Sequence, residues 1–175
     1  MQEIFEKARK IKLVIFDIDG VLTSGALFIG DDGQEYKAFN SKDGHGLRML
    51  QDGGVEVAII TGRSSNVVAH RAKDLGITRI YQGRREKLPA YEELLKETGL
   101  SHEEIAYVGD DVVDLPVMSK TGLSICVQDS HYFVKQHAHW VTVNNGGCGA
   151  GREVCEMILD AQGKLHEMLQ SYISL

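Results

Sequence analysis

Short apolar runs alternate with longer amphipathic stretches along most of the chain, which is the pattern of buried strands between helices. The apolar runs predict core strands at residues 13–16, 55–60, 77–81, 105–108, 123–127 and 140–143. The helical periodicity predicts helices at residues 2–9, 43–51, 64–75, 86–98, 112–120, 132–136 and 152–161. Because the connections are short, this alternation predicts an α/β fold with a doubly wound, mostly parallel sheet.

Residues 24–40 interrupt the alternation with the pattern of a β-hairpin. Two short predicted strands, at 26–29 and 35–39, flank the sequence Gly30-Asp31-Asp32-Gly33. Glycine and aspartate are typical of such turns. The hairpin directly follows the first strand, so we expect it to form a flap over the carboxyl end of that strand.

Composition excludes several classes of protein. The 175-residue chain is 43% hydrophobic and 25% charged, with a net charge of −6. We expect one soluble domain over residues 1–175, with a C-terminal tail at about 162–175. Its basic residues form no stripe, and no segment reaches the about 18 apolar residues of a membrane span, so we expect neither nucleic acid nor membrane as a partner. Residues 1–10 lack the apolar centre of a signal peptide, which predicts a cytoplasmic location.

The residues with catalytic potential cluster where predicted strands end. They are Asp17 and Asp19 after the first strand, Thr61 after the second, Lys87 at a helix start, and Asp110, Asp111 and Asp114 after a later strand. In an open α/β sheet, ligands bind in the crevice outside the carboxyl ends of the strands. Each residue alone has an ordinary explanation, as a turn former, a helix N-cap or a surface charge. Their joint placement on successive strand ends has none, and it therefore predicts an active site.

Carboxylates, a hydroxyl and a lysine at one site fit phosphoryl-transfer chemistry. Mg²⁺ prefers oxygen ligands and takes one or two carboxylates together with waters and phosphate oxygens. A carboxylate also attacks phosphorus to form an aspartyl-phosphate. Phosphoryl transfer requires positioning and neutralisation of charge, which a metal ion, a lysine and a hydroxyl supply together. The residues therefore predict a Mg²⁺-dependent site for a phosphate ester.

Four motifs in this order resemble those of the haloacid dehalogenase superfamily of phosphohydrolases: Phe-Asp-Ile-Asp-Gly-Val-Leu-Thr, Thr-Gly-Arg, a lysine, and Gly-Asp-Asp-Val-Val-Asp. The resemblance implies that Asp17 is the nucleophile and Asp19 the general acid/base. It implies that Thr61 binds the phosphoryl group and that Lys87 neutralises charge. The Mg²⁺ ligands that it implies are Asp17, the backbone carbonyl of Asp19, and Asp110, with Asp111 and Asp114 as their support.

The hairpin and two further stretches resemble a capless subclass of this superfamily: Lys-Ala-Phe-Asn-Ser-Lys-Asp-Gly-His-Gly and Gly-Gly-Cys-Gly-Ala-Gly-Arg-Glu-Val. The resemblance covers about residues 10–164 and implies a 3-deoxy sugar acid phosphate as the substrate, in lipopolysaccharide precursor biosynthesis. The substrate contacts that it implies are Asp19, Asn40, Ser41, Lys42, Asp43, Gly44, Arg48, Arg63, Arg71 and Lys87. It also implies a homotetramer in which hairpins assemble and the glycine-rich segment 145–151 helps to close a neighbouring site.

Other functions stay open on the sequence alone. Another sugar phosphate or a nucleoside monophosphate is an alternative substrate for the same chemistry. A receiver domain also combines paired acids, threonine, lysine and an aspartyl-phosphate, but its phosphorylated aspartate follows a third strand, where this sequence has none. A non-catalytic assembly module is the third alternative, although such modules tend to lose the acid pair that this chain keeps at Asp17 and Asp19.

Overall fold

The computed structural model describes residues 1–174 and has an α/β architecture. The strands are β1 (Leu13–Phe16), β2 (Phe28–Ile29), β3 (Glu35–Tyr36), β4 (Glu56–Ile60), β5 (Arg79–Tyr81), β6 (Ile105–Gly109), β7 (Leu123–Cys126) and β8 (Trp140–Val141). The helices are α1 (Gln2–Arg9), α2 (Ser41–Asp52), α3 (Asn66–Asp74), α4 (Lys87–Thr98), α5 (Leu115–Met118), α6 (Tyr132–His137), α7 (Ala150–Ala161) and α8 (Leu165–Ser171). None of these helices is long and apolar enough to cross a membrane.

The main sheet has six strands in the order β5-β4-β1-β6-β7-β8, and neighbouring strands are parallel throughout. The chain runs outward from β1 through β4 to β5, and then returns to place β6 on the other side of β1. Such a reversal opens a crevice at the carboxyl ends of the central strands, where ligands bind in this class of fold. The predicted doubly wound sheet is therefore confirmed.

Helices cover both faces of the main sheet, so its central strands are buried on both sides. Successive side chains of β1 point to opposite faces because a strand has a two-residue period. Val14 and Phe16 belong to a core formed with α2 and α7, whereas Leu13 and Ile15 belong to a core formed with α4. This packing fixes β1 at the centre of the fold, and with it the loop that carries the acid pair.

The hairpin predicted at residues 24–40 is confirmed as the antiparallel pair β2–β3, in which Phe28 lies opposite Tyr36. Each of its strands has two residues, and a hairpin of this size is at best marginally stable by itself. Phe28, Ile29 and Tyr36 are exposed on it. Its position therefore depends on contacts with the rest of the molecule.

Two predicted elements differ from the structure. The helix predicted at 112–120 is a 3₁₀ turn, Val112–Asp114, followed by the short helix α5. Asp111 and Asp114 cap that turn reciprocally, which favours a tight turn at this point. The tail predicted from residue 162 contains the helix α8, which begins after Gly163 has ended α7 with a φ of +70°.

Candidate active site

A pocket opens at the carboxyl ends of β1, β4 and β6. Its lining consists of Asp17, Asp19, Thr61, Gly62, Arg63, Ser64, Arg85, Lys87, Asp110, Asp111 and Val113. The loop after β1 contributes both acids of the pair, the end of β4 contributes Thr61, and the end of β6 contributes Asp110. The three strand ends at which the sequence places candidate catalytic residues therefore meet at one site.

Two glycines allow the loops of this pocket to approach closely. Gly20, after the acid pair, has a φ of +90°, and a Cβ atom there would overlap the Asp110 carboxylate. Gly109, the last residue of β6, leaves room for Asp114, since a Cβ atom there would lie 2.6 Å from the Asp114 carboxylate carbon. A larger side chain at either position would force these carboxylates away from the site.

Lys87 is the centre of a buried charge cluster. Its Nζ lies 2.7 Å from Asp17 Oδ2 and 2.6 Å from Asp114 Oδ1, and the residue is only 3% exposed. Burial lowers the pKa of Lys87, but the charges of Asp17 and Asp114 outweigh this effect and the net pKa is raised. Lys87 therefore stays protonated and neutralises part of the acidic cluster.

Asp114 is fixed by four hydrogen bonds and is fully buried. Its Oδ1 accepts from Lys87 Nζ and from the Tyr107 hydroxyl, each at 2.6 Å. Its Oδ2 accepts from the backbone N–H groups of Asp110 at 3.0 Å and Asp111 at 3.2 Å. This arrangement fits the supporting role predicted for Asp114. Tyr107, which the sequence presents as an ordinary core residue of β6, belongs to the same support.

The acidic cluster has the donors of a divalent metal site. Oxygen atoms of Asp17, Asp110 and Asp114 lie within 4.8 Å of one another. Burial, followed by the charges of Asp114 and Asp17, raises the pKa of Asp110 to about 8. Burial is also the main cause that raises the pKa of Asp17 to about 6. Three acids beside one lysine leave excess negative charge, which a divalent cation such as Mg²⁺ would neutralise. Asp17 and Asp110 are the carboxylates that fit as its ligands, because Asp114 already accepts hydrogen bonds from protein donors.

The raised pKa values predict that Mg²⁺ stabilises the protein more as the pH rises. A carboxyl group with a higher pKa in the folded chain favours folding at low pH and loses this contribution as the pH rises through its folded pKa. For Asp110 the window extends from 3.8 to about 8. The melting temperature of the metal-free protein should therefore fall between pH 6 and pH 8, and Mg²⁺ should raise it more at pH 8.

Thermal melts at both pH values, with Mg²⁺ or with a chelator, measure this effect. Asp110→Asn is the matched control, because it removes both the titrating group and a carboxylate ligand. In that variant, the stabilisation by Mg²⁺ should become small and nearly independent of pH. An equal stabilisation of the wild type at both pH values would contradict the assignment of Asp110 to the metal.

A chain of ion pairs, which the sequence did not predict, joins the hairpin to the acid pair. Lys37 Nζ contacts Asp19 Oδ1 and lies 3.1 Å from Glu35 Oε1. The same Glu35 oxygen accepts a hydrogen bond from Arg63 Nε at 3.2 Å. We call Arg63, Glu35, Lys37 and Asp19 the hairpin ion-pair chain. The hairpin therefore reaches the pocket as the predicted flap, through charges of alternating sign.

The remaining predicted substrate contacts do not line this pocket. They are Asn40, Ser41, Lys42, Asp43, Gly44, Arg48 and Arg71, of which Asn40, Asp43, Gly44 and Arg71 line a separate small apolar cavity. Asn40 is the N-cap of α2 and accepts from the Lys42 N–H at 2.8 Å. Arg71 and Arg48 both pair with Asp74, at 2.9 Å and 3.7 Å. Contact of these residues with a substrate stays a prediction.

The glycine-rich segment 145–151 packs against the first loop of its own chain. The Gly147 N–H donates to the Val21 carbonyl at 2.9 Å. Asp43 is buried and accepts from the Arg152 N–H at 2.9 Å, so its carboxylate joins α2 to the start of α7. Within one chain, the segment thus supports the loop that follows the acid pair, and its predicted role at a neighbouring site stays a prediction.

Comparison with known proteins identifies the class to which this fold and site belong. A family model described as haloacid dehalogenase-like hydrolase matches residues 76–150, and the parallel sheet with acids at its carboxyl end agrees with that class of hydrolase. The chain is 48% identical over 165 residues to the 3-deoxy-D-manno-octulosonate 8-phosphate phosphatase KdsC of Escherichia coli (strain K12), with 94% of this chain and 88% of that protein covered. The chain therefore belongs to the 3-deoxy-D-manno-octulosonate 8-phosphate phosphatase family.

Solved structures agree with this assignment over nearly the whole chain. The phosphatase of the same name from Yersinia pestis has a TM-score of 0.92 and 48% identity, covering 94% of this chain and 89% of that one. The phosphatase from Moraxella catarrhalis, in complex with magnesium ion, phosphate ion and KDO, has a TM-score of 0.96 and 42% identity, covering 98% and 99%. These similarities favour a phosphatase over the receiver and assembly-module alternatives.

Proposed function

We propose that this chain hydrolyses 3-deoxy-D-manno-octulosonate 8-phosphate to 3-deoxy-D-manno-octulosonate and phosphate, in a Mg²⁺-dependent reaction through an aspartyl-phosphate. The observation that carries the proposal is the buried cluster of Asp17, Lys87 and Asp114 beside Asp110. Family membership supports the substrate, because the relatives are named for it and one is in complex with magnesium, phosphate and KDO.

The first step transfers the phosphoryl group to Asp17. A carboxylate oxygen of Asp17 attacks phosphorus, and the bond between phosphorus and the sugar oxygen breaks. Asp19 donates a proton to that oxygen, so the sugar leaves as an alcohol. Lys87 reduces the repulsion between the carboxylate and the incoming phosphate, and we assign the Thr61 hydroxyl a hydrogen bond to a phosphoryl oxygen.

The second step releases phosphate and restores the protein. Asp19, now a carboxylate, accepts a proton from a water molecule as that water attacks phosphorus. The bond between phosphorus and Asp17 breaks, and the phosphate leaves. When bound by Asp17, Asp110 and the Asp19 carbonyl, Mg²⁺ supplies positive charge that neutralises the phosphate beside the nucleophile.

The sugar acid adds a carboxylate that the protein must also recognise. Arginine binds carboxylates with paired donors, and Arg63 is an arginine in the lining of the pocket. We assign it to binding of the sugar acid. The contacts at 40–44, Arg48 and Arg71, which lie outside this pocket, stay predictions from the resemblance. We include the homotetramer in the proposal because an assembly would cover the exposed apolar residues of the hairpin. The single domain over residues 1–175 and the cytoplasmic location stay predictions from the sequence.

Phosphate release from a panel of phosphate esters tests this function. The panel contains 3-deoxy-D-manno-octulosonate 8-phosphate, other sugar phosphates and nucleoside monophosphates, each with Mg²⁺ or with a chelator. We expect Mg²⁺-dependent release, with the highest kcat/KM for the 3-deoxy sugar acid phosphate. A higher kcat/KM for another ester would overturn the substrate, and equal rates in the chelator would overturn the role of the metal.

A further inference from the structure

Lys37 is the cation between Glu35 and Asp19 in the hairpin ion-pair chain, and it has the most buried side chain of the four residues. The exposed fraction of the side chain is 1% for Lys37, compared with 20% for Asp19 and 13% for Glu35. The Lys37 ammonium group lies between two partly buried carboxylates, and its removal would leave them beside each other without a cation. Lys37 is also the side chain that contacts the Asp19 carboxylate within residues 1–174.

The hairpin ion-pair chain connects the flap to two strand ends at once. Glu35 reaches Arg63 in the loop after β4, and Lys37 reaches Asp19 in the loop after β1. Because the two-residue strands of the hairpin provide little stability of their own, these charges help to determine where the flap lies. A change in the position of the flap would therefore also change the orientation of the Asp19 carboxylate.

We propose that Lys37 is a positioning residue that orients Asp19 toward the leaving oxygen, so that the hairpin contributes to the first chemical step. This inference rests on the proposed function, in which Asp19 is the general acid. The Lys37 ammonium group donates to Asp19 Oδ1, which leaves Oδ2 as the oxygen that carries the proton transferred to the leaving oxygen. Gly20 follows directly and has a φ of +90°, so the turn itself offers no side chain that could hold the carboxylate. A displacement of about 1 Å in a reacting group costs about 100-fold in rate.

This role differs from simple anchoring of the flap in its dependence on the leaving group. Protonation by a general acid matters when the leaving group is the alkoxide of a sugar, because an alkoxide anion leaves slowly unless it is protonated. It does not matter for 2,4-dinitrophenolate, which is stable as an anion. A residue that orients only the acid therefore affects phosphorylation of Asp17 by a sugar phosphate, and leaves phosphorylation by the aryl phosphate unchanged.

Rapid-quench kinetics of the first step with both kinds of substrate test the proposal. The variants are Lys37→Met, Lys37→Arg as the charge-conserving replacement, and Lys96→Met as a matched control on the exposed face of α4. With the sugar acid phosphate, Lys37→Met should slow formation of the phosphorylated protein by about 10- to 100-fold. With dinitrophenyl phosphate, the burst rate should change by less than about threefold, and Lys37→Arg should recover part of the loss.

Three outcomes would overturn the role of Lys37. An equal loss with both substrates would mean that Lys37 supports the nucleophile or the fold. Circular dichroism and thermal melts of the variant would distinguish these two explanations. Wild-type rates with both substrates would mean that Asp19 needs no partner from the hairpin. A loss that Lys96→Met shares would mean that the effect is not specific. Failure of the wild type to hydrolyse the sugar acid phosphate would instead contradict the proposed function. The same comparison of variants would then use an alkyl phosphate that the wild type does hydrolyse.

Discussion

Replacing Asp17 with asparagine is expected to lower kcat/KM for phosphate release by at least about 10,000-fold, as loss of a nucleophile does in other enzymes. The amide cannot attack phosphorus, and it is a poorer ligand for Mg²⁺ than a carboxylate. The fold should survive, because asparagine has nearly the same volume and Lys87 keeps its contact with Asp114. Steady-state phosphate release with Mg²⁺ measures the effect.

Asp160→Asn is the matched control for this substitution, since Asp160 is exposed near the end of α7, away from the pocket. We expect wild-type activity from it. If Asp17→Asn retained more than about one-hundredth of the wild-type kcat/KM, the covalent mechanism would be wrong, because a positioned carboxylate that merely assists binding is worth less than a nucleophile.

Replacing Lys87 with methionine should lower both stability and activity. The substitution leaves the carboxylates of Asp17 and Asp114 buried without their cation, and removal of one partner from a buried ion pair costs about 3–5 kcal/mol. The free energy of unfolding should fall by this order in the absence of Mg²⁺, and by less in its presence, because the metal replaces part of the missing charge. The rate of phosphate release should fall by about 1,000-fold, since the phosphate then meets an uncompensated acid cluster.

Urea unfolding with and without Mg²⁺, together with steady-state kinetics, measures both effects. Lys120→Met is the control, because Lys120 is exposed after α5, and it should change neither quantity. If the stability of Lys87→Met were equal to that of the control in the absence of Mg²⁺, Lys87 would not be neutralising the buried carboxylates.

The strand ends of the site could be predicted from the sequence because each depends on a local pattern. An apolar run followed by acids, or by threonine and glycine, predicts both a buried strand and the end of the sheet at which it stops. Asp17, Thr61 and Asp110 therefore meet in the structure at the place where the pattern puts them.

Contacts between distant segments could not be predicted in this way. Lys37 lies 18 residues after Asp19, on a hairpin whose orientation over the sheet no local pattern specifies. Tyr107 has the alternation of an ordinary core residue, and its hydroxyl contact with Asp114 depends on the loop after β6. Asp43 reaches across 109 residues of sequence to the N–H of Arg152. Each of these contacts is a property of tertiary packing and not of spacing along the chain.

Rapid-quench labelling tests the central claim most directly. The protein is mixed with Mg²⁺ and 3-deoxy-D-manno-octulosonate 8-phosphate that carries radioactive phosphorus, and the acid-quenched chain is digested and mapped. A covalent reaction at Asp17 predicts a burst of label on the peptide that contains Asp17, which disappears as fast as phosphate is released. Release of labelled phosphate at the normal rate, with no label on that peptide at any time, would contradict it.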